Sequence, residues 1–167
     1  MVKRKVFYSF YYRADNWRAA QIRNMGVIEG NKPASDNDWE QVERGGDSAI
    51  QSWIDSQLNG KSCTIVLIGQ NTARRPWIDY EITQSWNTGK GVLGIHIHHL
   101  KDSWGAQSLM GNNPFSHFTM KNNNSLLSEH VKIYDPPTVD SQQAYGYIQT
   151  MLSDWIEEAI HIRNNYG

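Results

Sequence analysis

The residues with the clearest capacity for chemistry are Trp77 and Glu81, in the stretch Trp77-Ile78-Asp79-Tyr80-Glu81. A spacing of four sets the ring and the carboxylate about one helical turn apart. A fixed carboxylate beside an aromatic ring suits a bond cleavage that passes through a cationic, sugar-like transition state. The pair is not rare by composition. Seven Trp and seven Glu in 167 residues yield roughly 0.3 such pairs by chance, and a second copy, Trp39…Glu43, is present. Context separates the copies: Trp39 leaves an Asn/Asp-rich loop, whereas Trp77 follows the apolar run Thr64-Ile65-Val66-Leu67-Ile68-Gly69. On spacing alone, an ordinary solvated helix glutamate remains the competing reading.

Two further groups could bind something. His96 and His98 point the same way on a strand, with His99 next. Zinc in proteins takes three or four side-chain ligands. No plausible third ligand is apparent, and Cys63 lies at the opposite end of its strand, so no metal is assigned. A hydrogen-bonded histidine in a wet crevice is the plainer reading. Arg74-Arg75 could meet phosphates, or could be a solvated loop pair.

The elements that must position these residues read as alternating strands and helices. Val6–Phe10 is a first strand, and Asp15 caps a helix to about Met25, with Trp17, Ala20 or Gln21, and Asn24 at helical intervals. Val27–Glu29 is a short second strand, and Gly30–Asp38 a loop rich in Asn, Asp, Pro and Ser. A helix starts at Gly46-Asp47-Ser48 and ends at Asn59-Gly60; Ile50, Trp53, Ile54 and Leu58 form its core face. Cys63–Gly69 is a buried strand, and Gln70–Arg75 a loop. Pro76 opens a helix to Thr88, with Ile78, Ile82 and Ser85 or Trp86 inward and Trp77, Glu81 and Gln84 on the adjacent stripe. Val92–His98 is the fourth strand and Val131–Tyr134 the fifth. A helix from Ser141 to Arg163 buries Ile148, Leu152, Trp155, Ile156 and Ile160. Residues 101–128, rich in Asn, Gly and Ser, are long for a loop in a compact domain.

This order implies an α/β, doubly wound, five-stranded and mainly parallel sheet with helices on both faces, in a single domain over 1–167 with an inserted loop at about 101–128. Ligands of such sheets bind at the carboxyl ends of the strands, where Glu81 would sit. A net charge of -1 and a pI near 6.6 supply no basic footprint for nucleic acid or an anionic membrane. The lone Cys63 excludes a disulfide framework and suits a reducing cytoplasm. No apolar run approaches membrane-spanning length, and the expected location is cytoplasmic. Seven Trp and eight Tyr in a chain of mean hydropathy -0.63 are expected to lie mostly in the core. No G-x-G-x-x-G or Walker loop occurs. Tyr11-Tyr12-Arg13 stands where a flavodoxin has its phosphate loop, and no Asp ends the third strand as in a response-regulator receiver.

Longer stretches carry a resemblance. Lys5-Val-Phe-Tyr-Ser-Phe-Tyr-Tyr-Arg-Ala-Asp15 resembles the first box of Toll/interleukin-receptor (TIR) domains, and Val66–Ile82 resembles the segment in which Trp-x-x-x-Glu opens their third helix. Leu67-Ile-Gly, Trp77-x-x-Tyr-Glu-Ile82, Gly94-Ile-His-Ile97 and Asn113-Pro-Phe115 together resemble the TIR-like proteins of bacterial Thoeris antiphage systems. The resemblance implies a flavodoxin-like fold and cleavage of NAD at the nicotinamide–ribose bond. NAD would be substrate, with no resident cofactor. The product would be an ADP-ribose-derived second messenger, commonly cyclic, that activates a separate effector. A phage-derived trigger and a homo-oligomeric partner are further implied. Matched by motif, Glu81 is the catalytic glutamate, Trp77 its aromatic companion, and Ser9, Phe10 and Tyr11 the substrate-bordering loop after strand one. Two departures stand out: Glu29–Asp38 has no clear match to the TIR self-assembly loop, and residues 101–128 replace a compact stretch. The alternatives are a non-catalytic adaptor or sensor using the same cleft, and a flavin- or nucleotide-binding flavodoxin relative.

Overall fold

Five parallel strands form the framework of the computed structural model, which describes residues 4–26, 29–30, 42–121 and 124–166. Trp39 and the loop after Gly30 lie outside these residues. The elements are β1 (Lys5–Ser9), α1 (Tyr12–Arg23), β2 (Glu29–Gly30), α2 (Asp47–Leu58), β3 (Cys63–Ile68), α3 (Pro76–Asn87), β4 (Gly91–His96), β5 (Ile133–Tyr134) and α4 (Ser141–Tyr166). The sheet order is β2-β1-β3-β4-β5. Such an order places a chain reversal between β1 and β3, the kind of switch point at which α/β sheets open a crevice.

Strand periodicity divides the core. Val6, Tyr8, Ile65, Leu67, Leu93 and Ile95 face α1 and α4, meeting Ala19, Ile22, Ile148, Leu152 and Trp155. On the other face, Val66, Ile68 and Val92 meet Ile78 and Ile82 of α3, while Phe7 meets Ile50, Ile54 and Leu58 of α2. β3 and β4 are buried along their whole length, as expected of parallel strands covered on both faces.

Among the described residues of the 101–128 segment, its second half packs against the sheet. Phe115 is fully buried, and Met120 and Leu127 join it against β3, β4 and α3. The crossover from β4 to β5 therefore covers its face of the sheet with these side chains. Gly94 makes room, since a Cβ there would lie 3.0 Å from Phe115 Cε2.

Other expectations change in detail. α1 begins at Tyr12, and Asp15 is a buried member of its first turn rather than its cap. Its inward face is Asp15, Arg18, Ala19 and Ile22, while Trp17 is 55% exposed. Hydrophobic periodicity misses this face because two of its members are charged. They are tolerable inside because Arg18 bonds Asp15 Oδ1 at 2.9 Å and donates to the carbonyls of Leu100 (2.8 Å) and Ala106 (2.9 Å). β4 stops at His96 because residues 97–100 form a turn, closed by Leu100 N–H on Ile97 O at 3.0 Å. The tryptophans are not mostly core. Among those described, Trp155 alone is buried; Trp53, Trp77 and Trp86 are half-buried and Trp17 and Trp104 exposed. No helix among the described residues is long and apolar enough to cross a membrane.

Candidate active site

The carboxyl end of β3 is held from two sides. Gly69 follows the last strand residue, Ile68, and a Cβ on it would lie 2.1 Å from Asp15 Oδ2. A Cβ on Gly111 would lie 1.9 Å from Gly69 O. Only glycine at both positions allows α1, the β3 end and the 101–128 segment to meet this closely. Thr72 Oγ1 accepts the Gly69 N–H at 2.8 Å, turning the chain towards α3. Arg74 takes the left-handed conformation (φ 66°), a strained state for a residue with a side chain. Pro76 then opens the helix at a position where no N–H is needed.

α3 is fastened to its neighbours by polar contacts as well as by Ile78 and Ile82. Ser85 Oγ lies 2.6 Å from Thr64 Oγ1 on β3 and donates to Glu81 O at 2.6 Å. Tyr80 OH donates to Asp55 Oδ1 of α2 at 2.9 Å. These contacts hold Trp77 and Glu81 on a fixed helix rather than a mobile loop.

Between α3, α2 and the β1–α1 connection lies a cavity of about 300 Å³. Phe10, Tyr11, Trp53, Trp77 and Glu81 line it, with Arg13, Glu43 and Arg75 supplying further charge. Arg75 Cζ lies over the Tyr11 ring, 3.4 Å from its centroid, a cation–π contact that fixes both groups in the wall. Trp77 meets Tyr80 edge-on at 5.9 Å. Glu81 is half-buried along the cavity, and its carboxyl group is partly desolvated. Burial pushes its pKa up to about 8, and the Ser9 hydroxyl draws it part of the way back. Ser9 is fully buried, and its Oγ has no partner within ordinary hydrogen-bond geometry. It is not part of the cavity lining. The structure thus brings Phe10, Tyr11, Trp77 and Glu81 to one cavity and sets Ser9 beside Glu81.

The family model described as Thoeris protein ThsB, TIR-like domain, matches residues 7–102, the stretch that builds this cavity. The chain belongs to this family. A protein of Bacillus cereus (strain MSX-D12), named "Putative cyclic ADP-D-ribose synthase ThsB1", is 36% identical over 119 residues. The match covers 68% of this chain and 62% of that relative, so the chain spans less than two thirds of the relative's length.

In this TIR-like chain several cavity residues carried no signal in the sequence. Glu43 belongs to the Trp-x-x-x-Glu copy set aside for its loop context, yet it reaches the same cavity as Glu81. Trp53 lies on the stripe read as core and instead stands half-buried at the cavity. Arg75 is not a free loop cation but part of the wall. The charged and aromatic lining could have been suspected only by knowing that α2 and α3 flank one crevice. A second polar cluster, His98, His99 and Asp135, lies among β4, β5 and the turns that follow them. Its third member, Asp135, was not singled out in the sequence.

Proposed function

We propose that this chain cleaves NAD at the nicotinamide–ribose bond and releases an ADP-ribose-derived, cyclic product. The observation that carries this reading is the desolvated Glu81 carboxyl in an aromatic-walled cavity at the β1/β3 switch point. Family membership and the name of the Bacillus relative support it.

The chemistry follows from charge. Departure of nicotinamide leaves positive charge on the ribose, as glycosidic cleavage generally does. An ionised Glu81 stabilises that cation far more than it stabilises neutral ribose, and low local water content strengthens the effect. Nicotinamide leaves as a neutral molecule, so no second carboxyl group need protonate it. NAD brings its own pyridinium charge into the cavity, and that charge lowers the carboxyl pKa on binding. The cavity stands at the low end of the ~300–1,000 Å³ range of ligand sites. It fits the nicotinamide riboside end, with Arg13 and Arg75 available to the pyrophosphate. Phe10, Tyr11 and Trp77 offer ring faces for the bases and exclude the water that would divert cyclisation into hydrolysis.

The proposed partners are NAD, a phage-derived trigger, a second copy of the chain, and a separate effector reached through the diffusible product. The proposed site is cytoplasmic. The deciding experiment is chromatography of NAD after incubation with wild type and Glu81→Gln, alone and in lysates of phage-infected cells expressing each protein. NAD loss with a new ADP-ribose-derived product, for wild type only, is the expected result. Equal NAD and equal protection from phage with both proteins would assign the cleft to a non-catalytic adaptor.

A further inference from the structure

We infer that His98, His99 and Asp135 form a binding site for one divalent transition metal ion, zinc being the best match. The site stands apart from the Glu81 cavity, and none of its three residues lines that cavity. It does not depend on the NAD reading.

Topology brings the three residues together. β4 and β5 pair in parallel with Ile95 opposite Tyr134, so the next residues, His96 at the end of β4 and Asp135 just past β5, follow side by side at the sheet's carboxyl edge. Adjacent residues of an extended strand point to opposite faces. The turn closed by Leu100 N–H on Ile97 O removes that alternation, and the His98 and His99 rings come to 3.9 Å of each other. The turn is itself held. Ser108 N–H bonds His98 O at 2.9 Å, and Gln107 Nε2 bonds both His99 O (2.8 Å) and Val139 O (2.7 Å). That last pair ties the turn to the chain beyond β5, where Asp135 lies. The cluster therefore rests on a framework fixed by backbone contacts on both sides.

Each of the three residues offers one ligand atom, and these atoms all lie within 4.8 Å of one another. Two ligands at ~2.1 Å from a tetrahedral zinc stand about 3.4 Å apart, so side-chain torsions of modest size close the shell. The Nδ1 atoms of His98 and His99 are buried and without a hydrogen-bond partner, and His98 as a residue is 5% exposed. Buried imidazole nitrogens ordinarily find a partner, and a metal ion would supply one. Two imidazoles and one carboxylate form a donor set that suits zinc, cobalt or nickel and is a poor match to magnesium or calcium. Three protein ligands leave the fourth tetrahedral position to water or a ligand oxygen. His96, whose ring stands 5.6 Å from that of His98, flanks the cluster.

The test uses the tag-free chain, freed of metal with a chelator, and titrated with Co²⁺ by visible absorption and with Zn²⁺ by calorimetry. One ion per chain is expected, with the intense visible bands of low-coordinate cobalt. His99→Gln and Asp135→Asn should each weaken binding by at least ~10–100-fold. His161→Gln, at an exposed position on α4, should leave it unchanged. Imidazole NMR of the wild type provides a readout that does not depend on how the variants fold: zinc should shift the His98 and His99 signals. Absence of one-to-one binding, unchanged affinity in both ligand variants, or shifts confined to other histidines would each overturn the site.

Discussion

Two stretches of one sheet edge invite comparison, the β1/β3 crevice with Glu81 and the β4/β5 end with Asp135. Both carboxylates follow the same topology, yet their surroundings differ. Glu81 projects from a helix and is walled by aromatic rings, so its charge is costly and its pKa rises to about 8. Asp135 follows directly after a strand, is exposed, and lies beside two imidazoles. Desolvation makes the first carboxyl sensitive to a cation arriving in its cavity; proximity to other donors makes the second a ligand. Neighbours, not residue type, set the role.

The largest effect that could break this comparison is on turnover. Glu81→Gln should lower NAD cleavage by about 100- to 10,000-fold, the range for losing a charge-stabilising or acid–base group, while leaving metal affinity as in the wild type. Asp135→Asn should do the reverse. Chromatography and calorimetry on both variants check this, and loss of both properties in one variant would merge the two regions into one site.

Gly111→Ala probes the pin at the β3 end. With a Cβ 1.9 Å from Gly69 O, the backbone must shift, costing about 1–3 kcal/mol. For a chain of this size that lowers Tm by about 2–12 °C. An unchanged Tm would show that the 101–128 segment does not hold that end of the sheet.

The pH dependence follows from the sign of the Glu81 shift. The folded state holds the proton more tightly than the unfolded chain, so this contribution to stability is fully present below about 4.5 and is lost as pH rises through about 8. Glu81→Gln should therefore raise Tm over wild type at pH 9 more than at pH 5. By the same titration, kcat/KM of the wild type should rise with pH up to about 8, since free enzyme must ionise before it can stabilise a cation. A flat profile in both experiments would place the carboxyl in ordinary solvent.

The smallest effect is expected in the cavity wall. Trp77→Ala should raise KM about 2- to 10-fold, in line with the ~0.5–1.5 kcal/mol of an aromatic contact, with kcat less affected. A fall in kcat alone would mean that Trp77 acts on the carboxyl rather than on substrate.

Much of this was legible in the residues themselves. The unbroken apolar runs at β3 and β4, the Ile50/Ile54/Leu58 and Ile78/Ile82 stripes and Pro76 before α3 specify parallel strands and covering helices by local pattern. With them comes the placement of Trp77 and Glu81 one helical turn apart beyond the end of β3. The face of α1 was not legible, because Asp15 and Arg18 neutralise each other inside, and a hydrophobicity pattern cannot register a pair formed in three dimensions. Nor was the filling of the β4 face by Phe115, since a coil has no period to read.

The sequence by itself thus determined the alternation of elements, the sheet they must form and the chemical types available at its carboxyl edge, because periodicity and turn chemistry act over a few residues. Only the tertiary structure decided which charges would lose their water and which would find one another. Glu43 and Arg75 join Glu81 at one cavity, and Asp135 meets His98 across 37 residues of chain. Desolvation and ligand geometry depend on distances through space, and separation along the chain does not encode them.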